Sequence, residues 1–91
     1  MKSDELKVGF MFEHRKRTLT VIEGPFLKKV WRGRGKVDYV NAMICRKGVL
    51  TKDELVASVE AFAARKINMN DYVLTSVKSG AEIKFIGDAN V

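Results

Sequence analysis

The chain contains one cysteine, one proline, one histidine and one tryptophan among 91 residues, and each scarcity excludes something. The lone thiol of Cys45 cannot form an internal disulfide, so a small domain stapled by cystines is ruled out and a reducing compartment is expected. At most, oxidation would join two chains through it. One Cys and one His cannot supply the four or so soft or imidazole ligands of a structural zinc site, so no metal is expected. His14 is also a poor candidate for acid–base work. It lies in the run His14-Arg15-Lys16-Arg17, where neighbouring cations oppose its protonation. No apolar run approaches the roughly 20 residues that span a bilayer. The opening segment Met1-Lys2-Ser3-Asp4-Glu5-Leu6-Lys7 alternates charge and lacks the apolar core of a secretory signal, so a cytoplasmic location is the expectation.

The catalytic and cofactor signatures are missing as well. Gly33-Arg34-Gly35-Lys36 has glycines and a lysine, but neither Gly-x-x-x-x-Gly-Lys-Ser/Thr nor Gly-x-Gly-x-x-Gly occurs, and no nucleotide cofactor is expected. Asp53, Glu54 and Glu60 could serve a hydrolase, but a helix start and its solvent face account for them. No nucleophile–base pair stands out, and the expectation is a protein without enzymatic activity.

What is present is a globular composition, 46% hydrophobic and 31% charged, in a length that fits one domain over residues 1–91. A domain this small buries a modest fraction of its surface, and a homodimer interface is one way of supplementing it. The charge is unevenly divided. Residues 1–50 carry twelve Lys/Arg against five Asp/Glu, a balance of +7, whereas residues 51–91 carry five against six, a balance of −1. Between His14 and Lys47 there are ten basic side chains and two acidic ones. That asymmetry points to an anionic partner for the first half.

Periodicity and turn chemistry predict an α+β fold, an antiparallel sheet of hairpins with one amphipathic helix packed on one face. Residues 8–13 and 18–23 read as strands joined through the polar tip His14-Arg15-Lys16-Arg17. Gly24-Pro25 is expected to end the second strand, with a third following over Phe26 to Trp31. Residues 32–36 form a glycine loop. The segment from Val37 to Arg46 is compatible with strand or helix, and its Val, Tyr and Ile content favours strand. Thr51-Lys52-Asp53-Glu54 is a capping box that opens a helix to about Lys66, with Leu55, Val59, Phe62 and Ala63 as its apolar stripe. Residues 72–77 and 82–86 read as a second hairpin turned by Lys78-Ser79-Gly80-Ala81.

The segment from Phe26 to Tyr39 interleaves cations, glycines and aromatics. Lysine and arginine neutralise phosphates, glycine permits close approach, and Trp or Tyr stacks on bases. The expected function is therefore a nucleic-acid-binding module, for DNA or RNA, whose contacts come from Arg15, Lys16 and Arg17 of the first hairpin tip and from Lys28, Lys29, Trp31, Arg32, Arg34 and Lys36. Core burial is the competing assignment for Trp31 and Tyr39. The alternative function is a regulator or adaptor that docks on an acidic protein surface or pairs through a sheet edge.

Overall fold

The computed structural model describes residues 1–91. A short 3-10 turn, Ser3–Glu5, precedes strands β1 (Phe10–His14), β2 (Arg17–Trp31) and β3 (Val37–Lys47). Helix α1 (Lys52–Ala63) follows, then β4 (Tyr72–Lys78) and β5 (Lys84–Asp88). All five strands form one antiparallel sheet in the order β4-β3-β2-β1-β5. The α+β architecture is the one expected from the sequence, and residues 37–47 are strand. No helix is long and apolar enough to cross a membrane.

Alternation along the strands divides the core between the two faces of the sheet. On one face Phe12, Leu19, Val21, Met43, Cys45 and Val77 pack with Leu6. This face is closed by the N-terminal segment and the 79–83 connection, which Ser3 N–H joins through the Ala81 carbonyl at 2.8 Å and Ile83 N–H through the Met1 carbonyl at 2.9 Å. On the other face Met11, Ile22, Leu50, Leu55 and Ala89 are buried beneath α1, with Val59 and Phe62 half-buried beside them. The capping box forms as expected. Thr51 Oγ1 accepts from Glu54 N–H at 3.2 Å, and Glu54 Oε1 accepts from Thr51 N–H at 3.0 Å. The Thr51 backbone amide first, and its side chain second, hold the Glu54 carboxyl below its ordinary range. The helix is further tied to the sheet by the Arg46 guanidinium, which donates to Ser58 Oγ at 2.6 Å while that hydroxyl donates to the Glu54 carbonyl.

Four local expectations are corrected. The helix stops at Ala63 rather than Lys66, because Arg65 turns left-handed at φ 57°. The amides of Arg65 and Lys66 then bond back to the Phe62 and Ala61 carbonyls, the Schellman arrangement that terminates helices. Ala63 is consequently exposed. The first hairpin turns through Arg15-Lys16 alone, both at positive φ, since His14 and Arg17 already pair as strand ends. Gly24-Pro25 does not end a strand: β2 runs on to Trp31, with register shifts against β3 between Val21 and Phe26. Gly24 at φ 103° makes that irregularity, and a Cβ there would meet the Ala42 carbonyl oxygen at 3.0 Å. Finally, β4 and β5 are not hairpin partners. Their connection crosses the face of the sheet, so that β5 pairs with β1 on the opposite edge and Phe85 meets Phe10 edge-on, ring centroids 5.1 Å apart.

Candidate nucleic-acid interface

The long β2 separates the predicted contact residues into two groups. Arg17 begins the strand and Trp31 ends it. The fourteen steps from Arg17 to Trp31, at about 3.3 Å each, place the first hairpin tip roughly 45 Å of strand from the far end, and the molecule's longest extent is 45 Å. Arg15, Lys16 and Arg17 therefore stand at one end of the protein. Lys28, Lys29, Trp31, Arg32, Arg34 and Lys36 stand together at the other.

The second group lies on a projecting two-stranded arm. Beyond Val21 strand β1 no longer accompanies β2, and β4 ends at Lys78 opposite Val40. Residues 27–31 thus pair only with 37–41, and since Val40 and Asn41 also pair with Lys78 and Val77 of β4 and Ser79 N–H donates to the Tyr39 carbonyl, the ribbon is free on both edges only toward its tip. The arm closes through a tight turn in which Lys36 N–H donates to the Gly33 carbonyl and Arg32 N–H to the Lys36 carbonyl, both at 2.9 Å. Gly33, Arg34 and Gly35 all have positive φ there. The two glycines suit that conformation, and Arg34 at φ 48° is the one residue in it with a side chain. The turn consequently presents Arg34 at its apex.

Register assigns the arm's side chains to faces. Leu27 faces Asn41, Lys29 faces Tyr39 and Trp31 faces Val37, all on one side. Phe26, Lys28 and Val30 share the other side with Ala42, Val40 and Asp38. Trp31 is 67% exposed, Leu27 62% and Tyr39 49%, so neither aromatic is a core residue. Lys29 Nζ lies 5.0 Å from the Trp31 ring centroid. An exposed cation–π contact is worth about 0.5–1 kcal/mol, less than the roughly 1–3 kcal/mol of a base stacked on an aromatic ring. The contact is therefore weak enough for a ring stacked on Trp31 to displace. Arg32 is differently engaged: its Nε donates to Asp38 Oδ2 at 2.9 Å, across the arm. Of the nine predicted contact residues, Arg32 alone is held in an ion pair. Four unpaired cations, Lys28, Lys29, Arg34 and Lys36, remain on the arm.

At the opposite end, His14, Arg15 and Arg17 line a mostly polar cleft of about 330 Å³ with Val73, Leu74, Thr75 and Ser76 of β4. Burial, more than its arginine neighbours, lowers the His14 pKa, with Arg15 and Arg17 adding to the effect. Cys45 is fully buried, and its thiol is pushed up to about 12 by desolvation. Two features went unforeseen. Asp4 Oδ1 accepts from Asn41 Nδ2 at 2.8 Å and from Ser79 Oγ at 2.7 Å, while Oδ2 accepts from Gly80 N–H at 2.7 Å. The only sequence signal for it was an asparagine in mid-strand, where that residue is depleted. Between α1 and the root of the arm, Ile22, Val59, Phe62, Ile67 and Met69 line an open apolar groove of about 810 Å³. No protein-family model, curated protein or solved structure matches this chain.

Proposed function

We propose that the protein binds nucleic acid through the projecting β2–β3 arm, by phosphate contacts from Lys28, Lys29, Arg34 and Lys36, without catalysing a reaction. The observation that carries this reading is the exposure of Trp31 and Tyr39 among four unpaired cations on an element that contributes nothing to either core. Exposed large aromatics forfeit burial free energy, and a ligand that covers them recovers it. The arm's charge selects a polyanion for that ligand. Replacing Lys28, Arg34 and Lys36 together by alanine tests the reading. Affinity for DNA or RNA of many sequences should fall alike, and the dependence of log K on log salt should flatten by about two units for single strands. An unchanged affinity would refute it.

A second reading, a regulator that binds protein, is favoured by the cleft at the other end. β4 pairs only with β3, which leaves its other edge unpaired, its first six residues carry no charge, and Val73 to Ser76 line the cleft together with Arg15 and Arg17. An extended acidic peptide could add to that edge with its carboxylates at the arginines. Arg15→Glu with Arg17→Glu would then abolish capture of an acidic peptide while the arm variants would not. The first reading predicts the opposite ranking for nucleic acid.

A further inference from the structure

Resting on the nucleic-acid reading above, we infer that the arm's ligand is single-stranded, its bases stacking on the face built from Leu27, Lys29, Trp31 and Tyr39. Register places Trp31 beside Val37 and Lys29 beside Tyr39, so the two aromatics are diagonal neighbours on one side of the ribbon. Pairs so placed lie about 7–8 Å apart at their backbones, which leaves each ring free to take its own base. Leu27 continues the same apolar face toward the body of the protein. Lys29, between the rings, and Arg34 and Lys36 at the tip supply cations along the edge of this platform.

A duplex offers no partner for such a face. Its base faces are stacked internally, and only base edges are accessible, through the grooves. A two-stranded ribbon fits the major groove, but reading there takes arginine, lysine, asparagine or glutamine side chains that reach donors and acceptors, and it leaves exposed aromatic rings without a partner. The arm's one asparagine, Asn41, is buried and donates to Ser3 and Asp4. Arg32 is occupied by Asp38, and of the arm's arginines only Arg34, at the turn and off the face that carries Trp31 and Tyr39, is unpaired. What the platform presents instead is apolar and aromatic surface, which every unpaired base can cover and a paired one cannot.

Trp31 is the chain's only tryptophan, so tryptophan emission, excited selectively over the two tyrosines, reports on this site alone. The intact protein is titrated with oligothymidylate and, separately, with a mixed-sequence duplex of the same length at about 50 mM salt, where phosphate contacts are strongest. Saturation with the single strand should quench the Trp31 emission, and the single strand should bind more tightly than the duplex. Trp31→Ala should weaken single-strand binding about 5- to 150-fold and leave duplex binding within twofold, whereas Trp31→Phe should keep most of the affinity. An unaltered circular dichroism spectrum for Trp31→Ala would establish that the loss is not one of folding. Equal or tighter duplex binding without quenching, or an unchanged single-strand affinity in Trp31→Ala, would overturn the single-strand inference and leave the nucleic-acid reading standing. Failure of the wild-type protein to bind either form would end both.

Discussion

Truncating Leu55 is the most informative perturbation of the fold, because this side chain joins the only helix to the sheet. It is 3% exposed and packs with Met11, Ile22, Leu50 and Ala89. Leu55→Ala removes three carbons from that cluster, a change that costs 2–5 kcal/mol in packed cores according to how far the site can collapse. Here the apolar groove beside Ile22, Val59 and Phe62 gives neighbouring side chains room to move, so a cost of about 3 kcal/mol is expected. A domain of this size has a total stability of about 5–14 kcal/mol, and a loss of that size shifts the denaturation midpoint plainly. Urea unfolding followed by circular dichroism measures it, with Val56→Ala, an exposed position one residue on, as the control. The control should stay within about 0.5 kcal/mol of the parent. A cost below about 1 kcal/mol for Leu55→Ala would mean that the helix is not seated on the sheet as described.

Gly24→Ala should cost about 1–3 kcal/mol in the same assay, since it forces a left-handed residue with a Cβ against the Ala42 carbonyl; an unchanged midpoint would show that the strand does not bend there. Cys45 should resist thiol reagents at about pH 8 until the protein unfolds, because it is buried and desolvation pushes its thiol up to about 12. Rapid labelling of the native protein would contradict its burial. Asp4 sits below its ordinary 3.8, first through Asn41 and then Ser79. A carboxyl lowered in the folded state stabilises above its unfolded value and loses that contribution as pH falls through the folded one. The drop in urea midpoint below about pH 4 should therefore be smaller in Asp4→Asn than in the parent. An equal drop in both would remove Asp4 from the account.

The elements with strong local signals were legible in the sequence. The capping box at Thr51–Glu54 and the β-branched run at Thr18–Ile22 each carry the physics of their own conformation, and helix and strand formed where that physics pointed. The partner of β5 was not legible. Ser79-Gly80 has turn character whichever way the chain then goes, and what decides is Asp4, 75 residues away in sequence, which grips Ser79 and Gly80 and leads the chain across the sheet. Gly24-Pro25 misled for a related reason. A residue pair that ends an isolated strand is tolerated inside a long one when a shift in register absorbs it. For the candidate site, residue types were readable and geometry was not. Trp31 ends a segment, Phe26 to Trp31, whose aromatic and aliphatic residues would suit a core strand as well as a surface one, and it is exposed because neither core layer extends over the arm. The distance between the two basic segments likewise depended on β2 being continuous.

Whether the arm binds polyanions is decided by the salt dependence of the wild-type protein's affinity for single-stranded DNA or RNA. Four unpaired arm cations, each neutralising one phosphate, predict a slope of about −3 in log K against log salt for a single strand. Raising salt from about 50 to 200 mM should then weaken binding roughly 50-fold. No measurable affinity at the lower salt, or an affinity indifferent to salt, would contradict the account.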